Sequence, residues 1–233
     1  MEITWLGHSC FRLKGKEGAV VVDPFGKAIG LSLPRLQADV VAVSHEHAGH
    51  NHALAVGGSP RIVSGPGEYE IRNIFITGIA AYHDGAEGKE RGKVTIYLVQ
   101  MEDMVVCHLG DLGHVLAQTQ IESIGRVDIL LAPVGGGNSL NAAQAAEVIG
   151  LIEPRAVIPM HYHTSGLATA LDPLSRFVKE MGARGDPHRN PIHPALRLEE
   201  VEPGQPWLEI TRGAPADAAP EPPVAWTCRL KKG

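Results

Sequence analysis

Apolar residues come in short runs through the first two thirds of the chain, at 3–6, 10–13, 19–23, 39–44, 61–64, 74–80, 93–100, 104–109, 127–132 and 156–160, separated by stretches rich in turn-forming residues. Runs of this length, rich in Val and Ile, predict β-strands. Three segments, near 115–124, 142–152 and 173–181, instead space their apolar positions as an amphipathic helix does, and Asn141 stands where the second would take its N-cap. The early strands follow one another as in a meander, whereas the later ones alternate with helices. A strand such as 127–132, Val-Asp-Ile-Leu-Leu-Ala, is too apolar to leave either face in water. The pattern therefore predicts an α/β fold of two packed sheets with helices outside.

Composition refines this picture. A chain of 233 residues is compatible with one α/β unit, and 27 Gly with 17 Pro imply many tight turns between short elements. From Ala214 the sequence reads Ala-Pro-Ala-Asp-Ala-Ala-Pro-Glu-Pro-Pro, which has too little to bury to offset its ordering entropy. The expected organisation is one domain over 1–213 and a mobile Pro/Ala-rich tail over 214–233, with Trp226 as its docking point. A net charge of −5 and the lack of a basic run exclude the electrostatic footprint of a nucleic-acid binder. Cys10, Cys107 and Cys228 suit neither a disulfide framework nor a Cys-x-x-Cys zinc site, which points to a reducing compartment, with Cys10 and Cys107 as small core residues. The start, Met-Glu-Ile-Thr-Trp, lacks a signal-peptide pattern, and no apolar run approaches the ~20 residues that span a bilayer. The expected setting is the cytoplasm, away from membranes, with a small molecule as partner and the oligomeric state left open.

The chemistry is concentrated in Ser44-His45-Glu46-His47-Ala48-Gly49-His50-Asn51-His52. A solvated polar loop would account for this cluster taken alone. The same arrangement recurs, however: an apolar strand ends and a potential ligand follows, at His45, His83, Asp111 and His161. In layered α/β folds the groups just beyond the carboxyl ends of strands converge on one crevice, so these residues can meet. His45 and His47, two apart in extended chain, point to one side, and His47 and His50 are spaced as on a helical turn. Imidazoles with a carboxylate suit zinc, with manganese or iron as alternatives.

Trp5-Leu6-Gly7-His8-Ser9-Cys10, Val22-Asp23-Pro24-Phe25, Gly65-Pro66-Gly67-Glu68-Tyr69, His108-Leu109-Gly110-Asp111-Leu112-Gly113-His114 and Ile158-Pro159-Met160-His161-Tyr162, together with the histidine cluster, resemble the metallo-β-lactamase superfamily. The resemblance covers about residues 1–165 and is nearest to the small single-domain metal-dependent hydrolases that include L-ascorbate-6-phosphate lactonase. It implies a four-layer αββα sandwich with the metal site at one edge of the sheets. It also implies one metal on His45, His47 and His83, a second on His50 and His161, and Asp111 bridging the two. The family's signature, His-x-His-x-Asp-His, has an aspartate where this chain has Gly49. The first site is then complete and firmly bound. The second lacks a carboxylate and depends on a substitute such as His52, Glu46, Glu68 or water.

The expected reaction is attack by metal-bound hydroxide on a small-molecule ester, lactone, amide or phosphate, with the metal stabilising the oxyanion. Asp111 would orient the nucleophile, and His8, His114 and His163 are candidate proton donors or substrate contacts. Alternatives are a phosphodiesterase or nuclease of the same superfamily, and a catalytically weakened metal-binding protein with Gly49 as its lesion. His108, inside an apolar strand, is expected to be a buried support, and Asp23 to brace the metal loop by hydrogen bonding. Gly135-Gly136-Gly137-Asn138 reads as a strand-to-helix turn and Gly65-Pro66-Gly67 as a tight turn.

Overall fold

The computed structural model describes residues 1–181, 207–212 and 226–231. Fifteen strands are present among them. The first sheet contains β1 (Glu2–Gly7), β2 (Cys10–Lys14), β3 (Ala19–Val22), β5 (Val40–Val43), β7 (Arg61–Ser64), β14 (Trp207–Arg212) and β15 (Trp226–Lys231), in the order β14-β15-β1-β2-β3-β5-β7. The second contains β8 (Gly67–Ile71), β9 (Ile74–Tyr82), β10 (Lys93–Met101), β11 (Met104–His108), β12 (Ile129–Pro133) and β13 (Ala156–Met160), in the order β13-β12-β11-β10-β9-β8. A small parallel pair, β4 (Leu36–Gln37) and β6 (Val56–Gly57), stands apart.

Side-chain alternation explains why the first sheet can be buried on both faces. Along β3 and β5, Val20, Val22, Val40 and Ala42 point into the core shared with the second sheet, where they join Ile76, Ile96 and Val106. Their neighbours Val21, Val41 and Val43 point the other way, onto Phe25, Ile29, Leu31, Ala38 and Val56. Among the described residues that outer face is therefore covered by a loop, a 3₁₀ turn at Lys27–Ile29 and the β4–β6 pair. The helices α1 (Gln118–Ile124), α2 (Ala142–Ile152) and α3 (Leu174–Glu180) contribute Ile124, Val148, Ile149, Leu174 and Phe177 to the core that includes the second sheet. The α/β sandwich expected from the sequence is thus present.

Strand direction decides where the chemistry falls. β1 is antiparallel to β2 and β2 to β3, while β3 and β5 are parallel, so β1, β3 and β5 all end at one edge of their sheet. By the same reasoning β9, β11 and β13 end together in theirs. Tyr97 clamps the two sheets near that edge, its buried hydroxyl donating to Val43 O at 2.9 Å.

Two departures from the sequence reading have local causes. The tight turn at Gly65-Pro66-Gly67 leads straight into β8, whose Gly-Glu-Tyr-Glu-Ile is polar because it forms a sheet edge with much of its surface exposed. Helix α1 starts at Gln118 instead of Val115, because the Gln120 side chain caps the N–H of Ala117 at 3.0 Å while Leu116 is drawn into the core. Within the segment expected to be a tail, 226–231 form β15, in register with β1 so that Trp226 lies opposite Trp5. The remainder of that segment, and the end of the expected domain at 213, lie outside the described residues.

Candidate metal centre

Each strand that ends at the shared edge hands over a side chain. His8 follows β1, Asp23 follows β3, the loop after β5 carries His45, His47 and His50, His83 follows β9, Asp111 lies beyond β11, and His161 follows β13. Asp111 is at the centre. Its Oδ2 is 3.2 Å from His50 Nε2, 3.2 Å from His161 Nε2, 3.3 Å from His83 Nε2 and 3.9 Å from His45 Nε2. Three overlapping groups have ligand atoms within 4.8 Å of one another: His45 with His83 and Asp111, His45 with His47 and His50, and His8 with His50 and His161.

The atoms facing this space lack partners of their own. Nε2 of His45, His50 and His83, Nδ1 of His8 and Oδ1 of Asp111 are buried without a hydrogen bond. Leaving such groups unsatisfied costs roughly 1–3 kcal/mol each, and a cation among them would engage several lone pairs at once. Imidazole nitrogens with one carboxylate form a donor set that fits zinc, iron or manganese.

Residues behind the cluster hold its rings in place. Asp23 is fully buried and accepts from Ser44 N at 2.8 Å and Ser44 Oγ at 2.6 Å, and its Oδ2 is 2.8 Å from His50 Nδ1. Ser44 Oγ is in turn 2.9 Å from His45 Nδ1, so one carboxylate orients two imidazoles. Ser139 Oγ lies 3.2 Å from His161 Nδ1. Behind His83, the Asp84 carboxylate accepts from the backbone N–H groups of Ala86, Gly88, Glu90 and Arg91 and ties down the following loop. His108 is the buried support expected: Gly110 N donates to its Nδ1 at 3.1 Å, so Nε2 carries the proton and donates to Ser9 O at 2.8 Å. Close backbone approach also matters, since a Cβ on Gly113 would lie 2.4 Å from the His83 carbonyl carbon and one on Gly135 would lie 2.2 Å from His161 O.

The electrostatics match a site built for positive charge. Burial would raise Asp111, but His161 and His50 outweigh it and hold the carboxyl well below the usual range. Burial would lower His50, yet Asp111 and Asp23 outweigh it and lift the imidazole to about 10. Burial, followed by the charge on His50, lowers His45 to about 4. His50 is thus favoured as a cation between two carboxylates, while His8 and His45 are pushed towards the neutral form. A divalent ion would supply that charge instead, since imidazole ligands must bind it deprotonated.

The structure brings together His8, His45, His47, His50, His83, Asp111 and His161. His47 is the exposed member of the set, at the solvent side. His163 is also exposed, its backbone N–H donating to Asp172 O beyond β13. His114 is turned away, with Nδ1 on Val115 O and Nε2 accepting from Tyr82 N. The side chains considered as substitutes for a carboxylate at Gly49 are placed elsewhere: Glu46 binds Asn51 Nδ2 at 2.8 Å, the His52 ring lies beside Gly26, and Glu68 is exposed on β8. None of them is in the three ligand groups among the described residues. Sequence reasoning missed Ser44, Asp84 and Ser139 as braces, since a lone Ser or Asp in a loop is indistinguishable from an ordinary turn residue.

Two sheets that deliver six imidazoles and a shared carboxylate to one edge define a metal-site α/β sandwich. A family model described as a β-lactamase superfamily domain matches residues 2–161. The chain belongs to the metallo-β-lactamase superfamily. A protein of Thermoplasma acidophilum named a metal-dependent hydrolase is 31% identical over 212 residues, spanning 79% of this chain and 92% of that one. Another of that name, from Archaeoglobus fulgidus, is 30% identical over 219 residues, with the same coverage. Among solved structures, a Thermotoga maritima member of the superfamily described as a candidate Zn-dependent hydrolase superimposes with a TM-score of 0.65 at 39% identity, covering 76% of this chain and 84% of that one.

Proposed function

We propose that this protein is a metal-dependent hydrolase of a small-molecule ester, lactone, amide or phosphate, with His45, His47 and His83 holding one ion, His50 and His161 a second, and Asp111 shared between them. Metal-dependent hydrolysis is the activity for which the archaeal relatives are named. The observation that carries the reading is the convergence of buried, unpartnered imidazole nitrogens around the Asp111 carboxylate. Zinc is the metal proposed, from the nitrogen-rich donor set, with manganese and iron as the alternatives. When bound, such an ion supplies Lewis acidity and lowers the pKa of a bound water to about 7.

The chain's own residues supply the rest. Asp111, ionised and with Oδ1 unpartnered, can accept a hydrogen bond from an attacking water and orient it. His163, exposed two residues after His161, is the proposed proton donor or substrate contact. The free thiols Cys10 and Cys107, both buried, fit a reducing cytoplasmic setting, and no described helix is long and apolar enough to cross a membrane. A phosphodiesterase or nuclease reading is weaker, because a net charge of −5 repels a polyanion. Gly49 supports the other alternative, a metal-binding protein with reduced catalysis.

A panel of lactones, esters, thioesters and phosphodiesters, assayed before and after chelation, tests the proposal. One class should be cleaved, lose turnover with chelator and regain it with zinc. Turnover that survives verified metal removal overturns the metal's role. Cleavage of none by metal-loaded protein favours the binding reading.

A further inference from the structure

The metal-site reading leaves the second ion short of one ligand at Gly49, and the structure shows what occupies that space. A Cβ built on Gly49 would meet His8 Nε2 at 3.1 Å and His8 Cδ2 at 3.3 Å. The His8 ring therefore lies directly against the place where a side chain at 49 would begin. It is also packed against the second ion's two imidazoles, with ring centroids 4.4 Å from His161 and 5.1 Å from His50. The ligand atoms of His8, His50 and His161 lie within 4.8 Å of one another, and all three residues are buried. We infer that His8 is a ligand of the second ion, a nitrogen donor in place of the carboxylate that Gly49 cannot supply.

The backbone around His8 is built to hold that position. His8 has φ of 52°, in the left-handed region that non-glycine residues rarely adopt. Its carbonyl accepts from Trp5 Nε1 at 3.0 Å and from His161 N at 3.1 Å, which ties β1 to the end of β13 and turns the ring inward. His8 is 3% exposed and its Nδ1 has no hydrogen-bond partner. Burial, followed by the neighbouring His161 and His50, lowers its imidazole to about 2. An enclosed ring packed against His50 and His161 is placed for ligation and not for contact with a substrate.

Exchanging a carboxylate for an imidazole changes the site's preference. The second ion would see three neutral nitrogens and the shared Asp111, a donor set that favours zinc or iron over oxygen-seeking manganese. It also carries one negative charge fewer. The inference rests on the metal-site proposal above, and its test separates the two.

The experiment is metal stoichiometry by elemental analysis, with zinc and manganese titrations, on wild type, His8→Asn, Gly49→Asp and the double variant. Asparagine tolerates a positive φ, so His8→Asn keeps the backbone. Wild type should bind two zinc ions, His8→Asn should lose the second while keeping the first, and Gly49→Asp in the His8→Asn background should regain it with more tolerance of manganese. Two ions held by His8→Asn as tightly as by wild type overturn the inference, as does a single ion in wild type that His8→Asn leaves unchanged. No ion in wild type overturns the metal-site reading itself. Should His8→Asn fail to fold, ring ¹⁵N shifts of wild-type His8 decide: a change at one ring nitrogen on adding the second equivalent of zinc supports ligation, and no change refutes it.

Discussion

Asp23→Asn probes the brace behind the metal ligands without changing a ligand. The side chain is fully buried, with both oxygens engaged by Ser44 and Oδ2 also against His50 Nδ1. An asparagine keeps one acceptor for the Ser44 N–H. Its amide nitrogen must then face Ser44 Oγ and His50 Nδ1. Facing the ring, it donates, which moves the imidazole proton from Nδ1 to Nε2, the atom 3.2 Å from Asp111 and directed at the metal position. His50 in that tautomer cannot ligate. Losing a charge-assisted hydrogen bond costs roughly 1.5–3 kcal/mol. Removing the partner of a metal-bound histidine typically weakens metal binding about 10–100-fold, equivalent to about 1.4–2.8 kcal/mol. The two routes agree. The assay is zinc competition against a chromophoric chelator, with circular dichroism to confirm folding. The ion assigned to His50 should weaken by that factor, and the ion on His45 by less, since Ser44 still contacts that ring. A folded Asp23→Asn protein with wild-type zinc affinity would refute the reasoning.

Other predictions follow from the packing. Gly113→Ala puts a Cβ 2.4 Å from the His83 carbonyl carbon and 2.5 Å from Asp84 N, so the backbone must move; a stability loss of roughly 1–3 kcal/mol in urea unfolding should accompany weaker zinc binding, and wild-type values for both would contradict the contact. Tyr97→Phe removes the hydroxyl that bonds Val43 O and should cost about 1 kcal/mol at pH 7 by denaturant titration. The same residue sets an alkaline limit. Burial, followed by Asp23 and Tyr69, raises the phenol well above its unfolded value of about 10. Its stabilisation is therefore complete below pH ~10 and is lost as pH rises from there through the raised folded-state value. Tyr97→Phe should flatten the fall in stability above pH 10, and an unchanged slope would show that Tyr97 does not contribute. Phe11→Ala, at a fully buried position between the sheets, should cost about 3–5 kcal/mol, checked by thermal unfolding.

Much of the architecture was legible because the burial pattern writes itself into the residues. Val40-Val41-Ala42-Val43 is apolar without interruption because alternate side chains enter two different cores. Asn141 was legible as the cap of α2, and it accepts from Gln144 N. His45, His83, Asp111 and His161 could be read as one site because a polar ligand directly after an apolar run is a local signal. His8 obeys the same rule after β1. Its relation to Gly49 was hidden, since it depends on three antiparallel and parallel pairings bringing the ends of β1 and β5 to one edge. The anomaly at Gly49 was visible in the sequence, whereas what fills its space required coordinates. Ser139 and Asp84 act through geometry alone, and no spacing rule singles them out. Edge strand β8, and β15 between β14 and β1, were missed because short, half-polar segments carry little periodicity.

The central claim is that the carboxyl ends of six strands from two sheets build a metal centre around Asp111. Metal content per chain, measured by elemental analysis on protein purified without added metal and again after zinc is supplied, tests it most directly. The account predicts tightly bound metal in wild type and its loss in Asp111→Asn, whose Oδ2 replacement removes the charge that four imidazoles face. Folded wild-type protein that binds neither zinc nor manganese would contradict it.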